Sequence, residues 1–278
     1  MILDGKSIKN KIMDELRDDV NNLSVKPKLV VIQVGNNEAS NVYIKQKCNM
    51  CNYIGYDFEH IKLDNDVTTD MIVDVIDKLN LDDGVTGILV QLPLPSGVDT
   101  DRVVNSISSL KDVDGLTDLN NGMLFHNKDA LYSCTPYGVM ELLDRYNISV
   151  SGKNVVIVGR SDLVGKPMGV MMLNKDATVT ICHSKTKNLS EYTKNADVLV
   201  VAVGKPNFIT GDMINEGTVV IDVGISRLEN GLCGDVDFES VIDKCSYITP
   251  VPGGVGSMTV AMLGRNILKA YNLQNRNQ

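Results

Sequence analysis

Tyr43 and Lys47 stand four residues apart after the turn-forming Gly35-Asn36-Asn37, a spacing that puts both on one face of a helix and lets both reach one ligand. The pair is thus a candidate for contacting a ligand where parallel sheets put chemistry; a solvated tyrosine and lysine is the structural alternative. Gln91 ends the apolar run Gly87-Ile88-Leu89-Val90 and precedes Leu92-Pro93-Leu94-Pro95, which cannot continue a strand's hydrogen bonding, so its side chain faces a cleft or a turn. Asp112 and Asp114 lie in Lys111-Asp112-Val113-Asp114-Gly115, either as a turn signal or as carboxylates that recognise paired donors on a ligand.

A different chemistry is carried by the segment from Asn154 to Pro167: a buried strand, a glycine turn and a helix start marked by Pro167. That arrangement aims backbone N–H groups and the positive helix end at a phosphate. Gly159, Ser161 and Gly165 give the spacing G-x-S-x-x-x-G rather than G-x-G-x-x-G, which leaves a purely structural glycine turn as the alternative. An NAD-binding fold places an acidic residue on the ribose about 20 residues past this turn. Here strand Thr178–Cys182 runs instead into His183-Ser184-Lys185-Thr186. With Arg160 on the first turn, these groups suit a 2′-phosphate and favour NADP over NAD, against the alternative of an ordinary polar strand end.

The elements that must position these residues read as Val- and Ile-rich strands alternating with amphipathic helices, the pattern of parallel sheets with right-handed crossovers. Strands are expected at Lys28–Val34, Tyr56–Lys62 and Val85–Gln91, with helices at about Glu38–Tyr53 and Thr68–Asn80. From Leu92 to Ser133 the chain reads as loops around a cleft. A helix at Tyr137–Tyr146 follows, and a second alternation then places strands at Asn154–Val158, Thr178–Cys182, Val198–Val203 and Thr218–Val223, with helices at about Lys166–Leu173 and Leu189–Asn195. A last helix, about Thr259–Tyr271, follows Gly253-Gly254-Val255-Gly256.

The 278 residues are 43% hydrophobic and 22% charged, the make-up of a globular protein of two domains rather than a disordered chain. A net charge of −8 argues against nucleic acid and anionic lipid as partners. No apolar run approaches the ~18 residues of a membrane span, and Met1-Ile2-Leu3-Asp4-Gly5-Lys6 lacks signal-peptide order, so a cytoplasmic location is expected. Cys48, Cys51, Cys134, Cys182, Cys233 and Cys245 read as reduced thiols; Cys48 and Cys51 form a C-x-x-C without a second pair, which suits helix packing better than a redox or metal role. The dispersed His60, His126 and His183 show no metal site.

Together these motifs resemble the bifunctional methylenetetrahydrofolate dehydrogenase/methenyltetrahydrofolate cyclohydrolase (FolD) family over about Val34 to Leu263. The resemblance rests on Val34-Gly35 with Ser40-x-x-Tyr43-x-x-x-Lys47, Val90-Gln91-Leu92-Pro93-Leu94-Pro95, Lys111-Asp112-Val113-Asp114-Gly115 and Cys134-Thr135-Pro136-x-Gly138. It continues through Val158-Gly159-Arg160-Ser161-x-x-Val164-Gly165-Lys166-Pro167, Cys182-His183-Ser184-x-Thr186, Ile221-Asp222-Val223-Gly224, Gly234-Asp235-Val236 and Thr249-Pro250-Val251-Pro252-Gly253-Gly254-Val255-Gly256. What it implies is an α/β protein: an N-terminal three-layer catalytic, folate-binding domain (1–137 with 259–278) and a C-terminal Rossmann-type NAD(P)-binding domain with a parallel sheet (138–258). Two long helices would join the domains, and the cleft between them would hold folate and nicotinamide.

The resemblance further implies oxidation of 5,10-methylenetetrahydrofolate by NADP and hydrolysis of the methenyl product to 10-formyltetrahydrofolate, serving one-carbon metabolism and purine biosynthesis. Lys47 would be the catalytic lysine, Tyr43 would stack on or orient the folate, Gln91 would support the lysine and Asp114 would grip the pterin. Leu92, Pro93, Pro252, Gly253 and Gly254 would line the folate. Gly159, Arg160, Ser161, Gly165, His183, Ser184, Gly204, Gly224 and Ile225 would hold the cofactor, and the protein would be a homodimer. One departure stands out: where the family usually reads Gly-Pro-Met-Thr, this chain has Gly256-Ser257-Met258-Thr259, with Ser257 expected as a helix cap in place of a proline start. Two rivals are a non-catalytic, dinucleotide-responsive binding protein on the same fold, and an oxidoreductase of amino or hydroxy acids; intact Lys47, Gln91 and Asp114 speak against the first, and the Tyr43–Lys47 helix is unexplained by the second.

Overall fold

A computed structural model describes residues 1–228 and 231–275, so the last three residues of the expected 259–278 segment lie outside it. In chain order the elements are α1 (Gly5–Asn21), β1 (Lys28–Val34), α2 (Glu38–Ile54), β2 (Asp57–Leu63), α3 (Thr69–Leu81), β3 (Gly87–Val90), α4 (Thr100–Asn105), α5 (Asp118–Phe125) and α6 (Cys134–Arg145). They continue as β4 (Asn154–Val158), α7 (Gly165–Leu173), β5 (Thr178–Cys182), α8 (Leu189–Thr193), β6 (Val198–Val201), β7 (Val219–Asp222), β8 (Ser226–Leu228), β9 (Gly231–Cys233), α9 (Phe238–Val241), β10 (Tyr247–Ile248) and α10 (Val255–Asn275). The chain divides into two compact units, one of residues 11–132 and 260–278, the other of residues 1–10 and 133–259, so the divisions fall inside α1 and α10.

In the first unit β1 pairs in parallel with β2 on one side and β3 on the other. Alternation along β1 sends Val30, Ile32 and Val34 to one face, where they are buried with Ile72 and Ile76 of α3 and Val103 of α4. Helix α2 is fixed at both ends. Its N-cap Asn37 accepts from the Ser40 N–H at 3.1 Å, and Gly55 closes it at φ +94°, donating its N–H to the Cys51 carbonyl at 2.8 Å. Because α2 follows the C-terminal end of β1, its early turns sit where parallel sheets place ligands.

In the second unit the strand order is β10-β7-β6-β4-β5, all parallel. Val156, Val158, Leu199, Val201 and Val220 form its buried core with Ile248. The first residues of the chain belong here because Ile2 bridges Ile248 in parallel and the Leu3 N–H donates to the Ile248 carbonyl at 2.8 Å. The two-stranded antiparallel β8–β9 follows β7.

Several elements differ from the sequence-based expectation. Helix α1 was not anticipated, although Ile8, Ile12, Leu16 and Val20 recur at a spacing of four and are buried, and Asp4 caps the helix by accepting from the Ser7 N–H at 3.0 Å. The stretch expected as loops contains α4 and α5, short helices capped by the Asp99 and Thr117 side chains. Helix α10 begins at Val255 rather than Thr259. Ser257 is therefore inside the first turn, its N–H donating to the Gly254 carbonyl at 3.2 Å, and it is not the cap. Among the described residues no helix is long and apolar enough to cross a membrane.

Candidate active site and dinucleotide loops

Lys47 and Gln91 meet. The Lys47 Nζ donates to the Gln91 Oε1 at 2.8 Å, while the Gln91 Nε2 donates to the Leu92 carbonyl at 2.8 Å and its backbone N–H to the Ile32 carbonyl at 2.8 Å. The carboxamide is thereby oriented: its nitrogen is taken by the backbone, and its oxygen is left to hold the amine. Gln91 is buried at 9% exposure and Lys47 is half-buried, so the pair works in a partly desolvated environment where hydrogen bonds are stronger than in water. One turn earlier on α2, Tyr43 is 51% exposed, its ring open to a ligand. Leu92 is half-buried and Pro93 exposed, joined by a cis peptide bond.

The two aspartates of the Lys111–Gly115 segment part company. Asp112 is 1% exposed and is occupied as a turn residue, accepting from the N–H groups of Gly115 (3.0 Å), Leu116 (3.2 Å) and Thr117 (2.8 Å) and from Asn120 Nδ2 (2.9 Å). Lys111 is anchored too, its Nζ donating to the Leu79 carbonyl at 3.0 Å and the Asp82 carbonyl at 2.7 Å, with burial pushing its pKa down. The turn reading of the motif is thus taken by Asp112. The parallel bridge from Asp112 to Ile88 sets the segment alongside β3, and the half-buried Asp114 leaves it at the sheet end where Gln91 stands.

In the second unit, Gly159 sits at φ +132°, and a Cβ there would overlap the Ala202 carbonyl; a Cβ on Gly165 would overlap the Gly159 carbonyl. Neither end of the turn has room for a side chain, so backbone packs closely where the chain enters α7, and a helix start of this kind suits a phosphate. The Ser161 Oγ accepts from the N–H groups of Val164 (3.2 Å) and Gly165 (3.4 Å), which shapes the turn and leaves the hydroxyl hydrogen to donate. Arg160 and Ser184 are exposed. His183 and Thr186 close a tight turn after β5: the His183 N–H donates to Thr186 Oγ1 at 2.8 Å, the Thr186 N–H to the His183 carbonyl at 2.8 Å, and the Lys185 N–H to His183 Nδ1 at 3.2 Å.

Gly204 is exposed at φ +66° after β6, and Gly224 and the 49%-exposed Ile225 follow β7. Pro252, Gly253 and Gly254 belong to this same unit; Gly253 is at φ +103° and its carbonyl accepts from the Lys6 N–H at 2.9 Å. Spacing assigns no role to Asp222, which ends the apolar run Val219-Val220-Ile221, or to Asp235, which follows Gly234. Both are buried. Of the C-x-x-C pair, Cys51 is buried in α2 with its thiol pushed up to about 12 by desolvation, which leaves it inert and packing, while Cys48 is half-buried.

Comparison with known proteins agrees with this geometry. Residues 3–114 match the family described as "Tetrahydrofolate dehydrogenase/cyclohydrolase, catalytic domain", and residues 133–275 the one described as "Tetrahydrofolate dehydrogenase/cyclohydrolase, NAD(P)-binding domain". The chain is 50% identical over 273 residues, 97% of its length, to the bifunctional protein FolD of Agathobacter rectalis, 98% of which is covered. Among solved structures, it is similar to the bifunctional FolD methylenetetrahydrofolate dehydrogenase/cyclohydrolase of Campylobacter jejuni, with 47% identity, a TM-score of 0.97 and 99% of each chain covered. It is also similar to the Trypanosoma brucei methylenetetrahydrofolate dehydrogenase-cyclohydrolase complexed with NADP cofactor and inhibitor, with 33% identity, a TM-score of 0.93, and 99% and 98% coverage.

Proposed function

Because the chain belongs to the tetrahydrofolate dehydrogenase/cyclohydrolase family, we propose that it oxidises 5,10-methylenetetrahydrofolate with NADP and hydrolyses the methenyl product to 10-formyltetrahydrofolate. The observation that carries the reading is the 2.8 Å contact between Lys47 and Gln91, an oriented amine one helical turn from an exposed tyrosine. A non-catalytic binder on this fold would have no need of it, and that alternative is not supported.

In hydrolysis, water adds to the cationic methenyl carbon: the water oxygen bonds to carbon, the electron pair of the C=N bond returns to nitrogen, and one water proton goes to the Lys47 amine. The C–N5 bond then breaks as N5 takes that proton back and the remaining hydroxyl proton leaves to solvent, giving the 10-formyl product. Gln91 holds that amine in place, Tyr43 orients the folate, and Asp114 accepts paired hydrogen bonds from the pterin. Leu92, Pro93, Pro252, Gly253 and Gly254 complete the folate lining. For the dehydrogenase step, the residues that would hold NADP are Gly159, Arg160, Ser161, Gly165, His183, Ser184, Gly204, Gly224 and Ile225. When bound, the nicotinamide supplies the hydride acceptor, and the protein's contribution is orientation and the exclusion of water. Arg160 and Ser184 meet the 2′-phosphate, which makes NADP the preferred cofactor. The protein works as a cytoplasmic homodimer feeding purine biosynthesis.

Steady-state assay of the unmodified protein tests the reading: NADPH formation from methylenetetrahydrofolate and disappearance of methenyltetrahydrofolate are both expected, with a higher kcat/KM for NADP than for NAD. Absence of either reaction sinks the bifunctional assignment. Equal or better use of NAD removes the 2′-phosphate role from Arg160 and Ser184.

A further inference from the structure

Two buried aspartates tie together the loops that carry Gly204 and Gly224. Asp235 is 0% exposed, and its Oδ2 accepts from the N–H groups of Val203 (2.6 Å) and Gly204 (2.8 Å) beyond β6. Asp222, at the end of β7, is 4% exposed. Its Oδ1 accepts from the N–H groups of Gly224 (2.9 Å) and Asp235 (3.0 Å), and its Oδ2 from that of Val236 (2.9 Å). The backbone of Asp235 is anchored from a third segment, its carbonyl accepting from Phe208 at 2.6 Å and Ile209 at 3.0 Å. Two glycines follow from this packing: a Cβ on Gly224 would overlap the Asp235 carboxylate, and one on Gly234 would overlap that of Asp222.

Burying two carboxylates side by side is costly, and stability alone would be served by apolar side chains of similar size. What apolar side chains cannot do is fix five backbone N–H groups on three segments. We infer that Asp235 and Asp222 are positioning residues for the dinucleotide, clasping the Val203–Gly204 and Gly224–Ile225 segments at a set separation. This rests on the NADP reading above. The two carboxylates differ in their work. Asp222 has both oxygens engaged by N–H donors, whereas Asp235 uses Oδ2 alone; among the described residues its buried Oδ1 has no hydrogen-bond partner. A carboxamide can therefore replace Asp235 by offering its one oxygen to both donors, but at position 222 it must turn an NH₂ group on an N–H.

The test measures KM for NADP in methylene oxidation beside cofactor-free methenyl hydrolysis in Asp235→Ala, Asp235→Asn and Asp222→Asn. Asp235→Ala is expected to raise the KM for NADP by about tenfold or more, with a smaller change in hydrolysis. Asp235→Asn is expected to restore the KM to within about threefold, and Asp222→Asn is not. An unchanged KM in Asp235→Ala overturns the proposal, as does a parallel loss of both rates that Asp235→Asn fails to rescue. If Asp235→Ala does not fold, amide exchange in the unmodified protein decides: the N–H of the exposed Gly204 should exchange at least about tenfold more slowly than that of the adjacent exposed Lys205, and equal rates overturn the clasp. Failure of the unmodified protein to bind NADP would instead sink the functional reading while leaving Gly204 protected.

Discussion

The two units present their candidate chemistry in different materials. In the β1–β3 unit it is carried by side chains, Tyr43 and Lys47 on one helix and Gln91 at a strand end, with a 2.8 Å contact between the last two. In the β4–β10 unit it is carried by backbone: turns at Gly159 and Gly165 with no room for a Cβ, and loops whose N–H groups are held by buried carboxylates. A side-chain site is vulnerable at one atom of one residue. A backbone site is vulnerable through the residues that shape it, most of which never touch the ligand. The expected effects of substitution follow this division.

The largest is at Lys47. Lys47→Met keeps the stem of the side chain and removes the amine, so methenyl hydrolysis should fall ~10²–10⁴-fold while some dehydrogenase activity survives, because hydride transfer depends mainly on placement. Paired initial rates on a variant shown to be folded check this; hydrolysis within about threefold of the parent rejects Lys47 as the proton-transfer group.

In the other unit the large effect is on stability and pH. Burial pushes the Asp222 carboxyl from its usual 3.8 up to about 6. The folded state therefore keeps a proton at pH values where the unfolded chain has released it. The group's favourable contribution is complete below pH 3.8 and is lost as pH rises through about 6, a change of roughly 3 kcal/mol between those limits. Denaturant unfolding at pH 4 and pH 7 should show the parent losing more stability on raising the pH than Asp222→Asn does; identical differences would remove Asp222 from the titration.

Asp114→Ala should weaken folate binding by roughly 1.5–3 kcal/mol in calorimetry, the range of a charged hydrogen bond. Unchanged affinity would make Asp114 a turn residue like its neighbour Asp112. The smallest effect is expected at Ser257, where Ser257→Pro gives up one 3.2 Å bond to the Gly254 carbonyl but stiffens the unfolded chain, so thermal unfolding should shift by less than about 1 kcal/mol in either direction. A larger loss would mean that the bond holds the Pro252–Gly254 loop.

The same division governs what could be read in the sequence. Strands β1, β4 and β5 begin and end where Val and Ile patterning places them: β1 and β4 are buried apolar runs bounded by turn residues, and the partly exposed edge strand β5 alternates Thr with Val and Ile. The spacing of Tyr43 and Lys47 is local, so the helix could be inferred, and Gln91 betrayed itself as a polar residue ending an apolar run. The contact between Lys47 and Gln91 spans 44 residues and depends on the sheet; no spacing rule reaches it. Asp112 and Asp114 could not be separated, since their roles differ only in which one the turn Asp112–Thr117 consumes. Asp222 and Asp235 carry no periodic signature, because their carboxylates accept from backbone N–H groups up to 32 residues away. Helix α1 is legible in its four-residue apolar spacing and its Asp4 cap.

The central claim, that Lys47 and Gln91 act as one unit in hydrolysis, is tested most directly by a double-mutant cycle on methenyl hydrolysis with Lys47→Met, Gln91→Leu and the double variant. If Gln91 works by holding the amine, then once the amine is gone Gln91→Leu should cost little more, within about threefold, however large its effect on the parent. Additive losses, with Gln91→Leu as damaging in the Lys47→Met background as in the parent, would contradict the account.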